Sequence, residues 1–255
     1  MPSIDGHAGQ APASGHDHPA AGWLYRSLPN LLTSSRVVLA VVFFVLLSWY
    51  RHRAPVATGR EGSVLTSADW LLLWAAAVFS IAAITDVLDG YFARRWRQVS
   101  VFGRIMDPFA DKLLVVGAFV FLAGPGFTTD GRPAEQISGV YPWMVVVVLG
   151  RELLVTSIRA AFEGAGVSFG ASLSGKLKMA LQSVCVPAVL VLIALADPGE
   201  RPHHVAEPAP LGRVLIDTVV WATMIVTLWS GLPYIWRAWT VVRDGRPSRD
   251  GERAA

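Results

Sequence analysis

Long apolar runs broken by carboxylates at fixed intervals constrain this chain more than any other feature. The stretch Asp86-Val-Leu-Asp89-Gly90-Tyr-Phe-Ala93-Arg94 is followed by Gly103-Arg-Ile-Met-Asp107-Pro-Phe-Ala-Asp111. Both border sequence that otherwise reads as membrane-spanning helix. An aspartate at the centre of such a helix costs about 2.5–3.5 kcal/mol on insertion scales. Four of them together require counter-charges, water or metal. Asp86 and Asp89 are spaced i,i+3, and Asp107 and Asp111 i,i+4, so each pair projects from one helical face. That spacing points to metal.

The 255 residues are 53% hydrophobic and 16% charged, too apolar for an ordinary soluble domain. The length accommodates about six spans of about 20 residues each with short connections. The expected fold class is therefore all-α, a polytopic membrane protein with six transmembrane helices. The spans are expected at about 31–50, from 70 into the Asp86 motif, and at 103–123, 141–161, 178–196 and 214–239. Residues 1–22 are rich in Ala, Gly, Pro and His without an apolar core, and read as a disordered tail rather than a signal peptide. An amphipathic lead-in is expected at 23–28, the membrane domain occupies 23–240, and 241–255 form a basic polar tail. Several of Trp221, Trp229, Tyr234, Trp236 and Trp239 suit an interfacial belt.

Orientation follows from the positions of Lys and Arg. Of the 22, one side of this arrangement collects 13, the other 6, and Arg36, Lys112 and Arg151 lie within or at the ends of spans. The positive-inside rule then puts both termini and the Asp-bearing connection in the cytoplasm. A net charge of +3 gives no reason to expect a nucleic-acid partner. Cys185 is the sole cysteine, which excludes an intrachain disulfide and a thiolate metal cluster.

Four aspartates offer hard oxygen ligands suited to Mg²⁺ or Mn²⁺, with Ca²⁺ also compatible, and no His lies near them to favour zinc. Two facing carboxylate pairs can hold two ions, an arrangement suited to phosphoryl displacement. Gly90 lets a ligand approach the backbone, Arg94 can hold a phosphate, and Gly103 leaves room at the next turn. Taken singly, Asp86 and Asp111 also suit interfacial caps neutralised by Arg94, Arg104 and Lys112. The joint constellation favours a site. Arg151, Arg159 and Lys176 either form a pocket for a small anion such as a phosphate monoester or snorkel at helix ends. A direct Arg151–Glu152 pair is not expected, since adjacent residues diverge around a helix.

Together these residues resemble the signature of the CDP-alcohol phosphatidyltransferase family, D-x-x-D-G-x-x-A-R-x8-G-x-x-x-D-x-x-x-D. Every fixed position is filled, by Asp86, Asp89, Gly90, Ala93, Arg94, Gly103, Asp107 and Asp111. The resemblance covers roughly residues 28–240. Pro29-Asn30 through Arg36, Asp107 through Lys112, Gly150-Arg151-Glu152 and Gly175-Lys176-Leu-Lys178 are similar to the phosphatidylglycerophosphate synthase branch. Met179 departs from it, where Thr is usual. The resemblance implies CDP-diacylglycerol as donor, sn-glycerol 3-phosphate as acceptor, a divalent-metal requirement, a homodimer, and a place in the inner (cytoplasmic) membrane. It further implies that Asp86, Asp89, Asp107 and Asp111 hold the metal, with Asp111 as catalytic base. Gly90, Ala93, Arg94 and Gly103 then contact CDP, and Arg151 and Lys176 the acceptor phosphate. A cardiolipin synthase, with phosphatidylglycerol as acceptor, is the rival within the family. A cation transporter that uses the aspartates as an ion path is the rival outside it, and leaves Gly90, Arg94 and Gly103 unexplained.

Overall fold

The computed structural model describes residues 19–51, 67–96, 101–129, 135–164, 173–196 and 211–244. Six helices account for nearly all of these: α1 (Pro19–Trp49), α2 (Ser67–Trp96), α3 (Val101–Leu122), α4 (Pro142–Gly164), α5 (Leu173–Ala196) and α6 (Leu211–Asp244). A single 3₁₀ turn, Pro125–Phe127, follows α3. The all-α expectation holds, and five of the helices start within about five residues of the spans read from hydropathy. The first differs. The lead-in and the first span form one helix that begins at Pro19, inside the stretch read as a tail, while residues 1–18 lie outside the described residues. Likewise α6 runs on to Asp244, past the expected boundary at 240.

Segments Asp69–Val87, Leu173–Leu195 and Leu211–Arg243 are long and apolar enough to cross a membrane, and Ser34–Trp49 and Lys112–Leu122 are shorter apolar helices. Pro187 and Pro233 sit inside α5 and α6, a placement membrane helices tolerate because neighbouring groups satisfy the freed carbonyl. Trp221, Trp229, Trp236 and Trp239 are exposed along α6, as a belt requires. Tyr234 is buried and packs with Val155 of α4 instead.

Side-chain pairs fix the direction of each helix against its neighbours. Between α1 and α2, Arg36 meets Asp86 and Phe43 meets Phe79 at 5.3 Å. Seven residues forward on α1 match seven backward on α2, so the two are antiparallel. Phe44 stacks on Phe121 at 5.4 Å and Tyr50 contacts Phe127 at 4.7 Å, a constant offset that makes α1 and α3 parallel. Arg151 with Ser230, and Trp143 with Trp221, give α4 and α6 a parallel register in the same way. Helix direction therefore alternates along the chain. The C-terminal end of α2, the N-terminal ends of α3 and α5, and the later half of α4 share one end of the bundle. Phe43, Phe79, Phe119, Leu72 and Leu190 are fully buried in the core beneath it.

At the opposite end the α3–α4 connection folds inward. Ser138 donates to the Leu122 carbonyl at 2.6 Å and Gln136 to the same oxygen at 2.5 Å, which satisfies the last turn of α3. From α6, the buried Arg213 donates to the Gln136 and Ile137 carbonyls at 2.7 and 3.0 Å and pairs with Asp217 at 3.2 Å. Gly139 adopts φ +68°, and a Cβ there would stand 2.9 Å from Asp217 Oδ1. This position requires glycine for both reasons.

Candidate active site

The end of the bundle that carries the acidic motif also collects buried charge from three further helices, α1, α4 and α5. Asp86 lies near the end of the apolar segment Asp69–Val87. Its Oδ1 stands 2.6 Å from Nη1 of Arg36, whose side chain is 2% exposed against 34% for the aspartate. Arg36 is thus the described counter-charge. This replaces Arg94, Arg104 and Lys112, the neutralising partners expected for Asp86 as an interfacial cap, with an arginine of the opening motif.

The remaining motif positions are placed by their backbone. Asp89, Gly90, Ala93 and Arg94 continue α2, and Gly103, Asp107 and Asp111 lie on α3. The side chains of all these residues lie outside the described ones. Among the described residues no group of three or more His, Cys, Asp or Glu is assembled for an ion. By donor chemistry the four aspartates fit a hard divalent cation, and the one that is described is partly open to solvent.

A second polar cluster joins α3, α4, α5 and α6. The Glu152 carboxylate accepts from Lys178 Nζ and, at 3.3 Å, from Arg151 Nη1. Arg151 Nη2 donates to the Ser230 carbonyl of α6 at 3.4 Å. The direct Arg151–Glu152 contact corrects the sequence expectation. Their Cα–Cβ bonds do diverge, but both side chains are long enough to curl back and meet. Lys112 donates to the Thr156 hydroxyl, which in turn donates to the Glu152 carbonyl at 2.7 Å. Lys112, Glu152, Lys178, Gln182 and Ser183 line a cavity of about 20 Å³, enough for one water. Two cations thus contact the one carboxylate and a third, Lys112, lies beside it through Thr156, which leaves the cluster positive.

Arg151 belongs to this cluster and its buried Nε has no hydrogen-bond partner among the described residues. Lys176 does not belong to it. It is exposed in the first turns of α5, while Lys178, two residues on, is the buried one. Arg159 pairs with Glu163 at 4.0 Å on the surface of α4. Met179 is half exposed at the cavity's rim.

Apolar helices thus carry the acidic motif on α2 and α3, with buried cations at the same end of the bundle. The chain belongs to the CDP-alcohol phosphatidyltransferase family, whose model matches residues 26–229. It is 31% identical over 217 residues to the CDP-diacylglycerol–glycerol-3-phosphate 3-phosphatidyltransferase of Bacillus subtilis, covering 85% of this chain and 97% of that one. The protein of the same name from Escherichia coli K12 is 31% identical over 215 residues, 82% of this chain and 93% of its own. A probable phosphatidylglycerophosphate synthase of Mycobacterium tuberculosis is 33% identical over 213 residues, 83% of this chain and 81% of its own. Family membership sets aside the ion-path reading of the four aspartates.

Proposed function

We propose that this protein transfers the phosphatidyl group of CDP-diacylglycerol to sn-glycerol 3-phosphate, yielding phosphatidylglycerophosphate and CMP. The observation that carries this reading is the complete eight-position motif on α2 and α3 at the end of the bundle where Arg151 and Lys178 lie buried. The relatives' names support the choice of donor and acceptor.

Asp86, Asp89, Asp107 and Asp111 would hold two Mg²⁺ or Mn²⁺ ions. Such ions, when bound, neutralise charge on the donor's pyrophosphate and on the leaving phosphate. The protein's own groups do the rest. Gly90, Ala93 and Gly103 leave room for the CDP moiety against the two helices, and the Arg94 guanidinium holds a phosphate oxygen. The diacylglycerol chains stay in lipid. Arg151, whose Nη atoms are anchored and whose Nε has no partner among the described residues, holds the phosphate of the acceptor, and Lys176, exposed on the first turns of α5, draws it in from solvent. Asp111 accepts the proton of the acceptor hydroxyl as its oxygen attacks the diacylglycerol-linked phosphorus. The bond from that phosphorus to the bridging oxygen breaks, and CMP departs with that oxygen. Positioning both substrates on helices rather than loops converts a bimolecular step into a nearly unimolecular one.

The protein acts as a homodimer in the cytoplasmic membrane, with this end of the bundle facing the cytoplasm, where the excess of Lys and Arg lies and where a soluble phosphate ester can reach Lys176. The test is CMP release by the purified protein with CDP-diacylglycerol, Mg²⁺ and a panel of alcohols. Glycerol 3-phosphate is expected to be the best acceptor. Faster turnover with phosphatidylglycerol or inositol would refute the acceptor assignment and leave the family intact.

A further inference from the structure

We infer that Arg36 is a positioning residue for the metal site, acting through the Asp86 carboxylate. The inference rests on the proposal that Asp86 is a metal ligand. Arg36 and Asp86 come from different helices, 50 positions apart in sequence, and meet at 2.6 Å. The arginine is 1% exposed, among the most buried large side chains of the protein. A guanidinium is permanently charged, and here its Nη1 meets the carboxylate as an ion pair. Held by packing, it restrains the carboxylate it meets.

The register beneath the pair fixes its position along the helix axes. Phe43 and Phe79 lie seven residues inward on their respective helices, in contact at 5.3 Å, and both are fully buried. Seven residues of helix rise about 10.5 Å, so the ion pair sits about two turns from a rigid aromatic contact. Phe44 adds a second restraint on α1, because it stacks on Phe121 and lies over Gly117 of α3. Movement of Arg36 relative to α2 and α3 would disturb both contacts. The helix that carries no motif aspartate thus orients the motif's first one. A cation cannot ligate a metal, so Arg36 acts on the ion only through the carboxylate. Partners that orient a ligating group typically change metal affinity about 10–100-fold when removed.

The test is Mn²⁺ binding to the purified full-length protein in detergent, read from the free-ion paramagnetic resonance signal and independent of turnover. Variants are Arg36→Met, Arg36→Lys, Asp86→Asn and the Arg36→Met/Asp86→Asn double. Arg36→Met is expected to weaken Mn²⁺ binding by about 10–100-fold. Arg36→Lys, which keeps the charge but loses the packed guanidinium, should weaken it less. In the Asp86→Asn background Arg36→Met should cost nothing further. Unchanged or tighter binding in Arg36→Met would overturn the inference, the latter by making Arg36 a mere competitor of the ion. So would an added loss in the double variant, since Arg36 would then act by another route. Should Arg36→Met fail to assemble, Arg36→Lys decides: weakened binding with wild-type helicity supports positioning, and wild-type affinity overturns it. Absence of Mn²⁺ binding by the wild-type protein would instead remove the metal proposal on which the inference depends, and the inference with it.

Discussion

Replacing Glu152 by Gln tests whether the inner charge cluster holds α4 and α5 together. The side chains of Glu152, Lys178 and Arg151 are 12%, 5% and 10% exposed, so solvent screens their interaction little. Removing one partner of a buried ion pair costs about 3–5 kcal/mol, because the remaining charge stays buried. The Gln carbonyl can still accept from Lys178 or Arg151, which recovers about 1.5–3 kcal/mol, as expected for a hydrogen bond to a charged group. The net loss is then about 1–3 kcal/mol. For a chain of this size each kcal/mol lowers Tm by about 2–4 °C, which gives a fall of roughly 2–12 °C. Thermal unfolding in detergent, followed by circular dichroism, measures it. The KM for glycerol 3-phosphate should rise as well, since Arg151 loses one of its two described anchors. An unchanged Tm in Glu152→Gln would refute the argument.

Chelation should abolish CMP release and Mg²⁺ or Mn²⁺ should restore it, and full activity in excess chelator would remove metal from the mechanism. Asp86→Asn should lose turnover but regain some at raised Mn²⁺. Asp111→Asn should lose about 10²–10⁴-fold without metal rescue, since no proton acceptor returns; CMP release against metal concentration separates the two. Gly117→Val should destabilise the bundle by about 1–3 kcal/mol, because even a Cβ at 117 falls 2.4 Å from Phe44 Cζ, and a lowered Tm reports it. Gly139→Ala should lower Tm too, owing to its positive φ and to Asp217.

The helices were legible in sequence because hydrocarbon-length apolar runs leave little choice of structure. The acidic motif was legible because spacing on a helix is set by the backbone alone. What the sequence did not reveal were contacts that depend on register between helices. Arg36 finds Asp86 only because α1 and α2 pack antiparallel at one axial offset. Lys176 and Lys178 look equivalent in the Gly-Lys-x-Lys run, but two residues on a helix point about 200° apart. The rotation of α5 therefore buries one and exposes the other. Arg151 and Glu152 were judged from Cβ directions, which hold for short side chains and fail for these two. The early start of the first helix, at Pro19, and its continuity with the lead-in are not marked in sequence, because its opening turns carry no strong apolar periodicity.

The clasp of Arg213 on the α3–α4 connection bears on how the chain matures at the ribosome. The carbonyls it holds precede it by 77 and 76 residues. At synthesis rates of about 5–20 residues per second, those oxygens wait about 4–15 seconds for their donor. Ser230, the α6 anchor of Arg151, emerges later still. The last helix therefore finishes both ends of the protein, the clasp at one and the charge cluster at the other. A nascent chain stalled before Leu211 leaves Arg151 and the Gln136–Ile137 carbonyls without these partners.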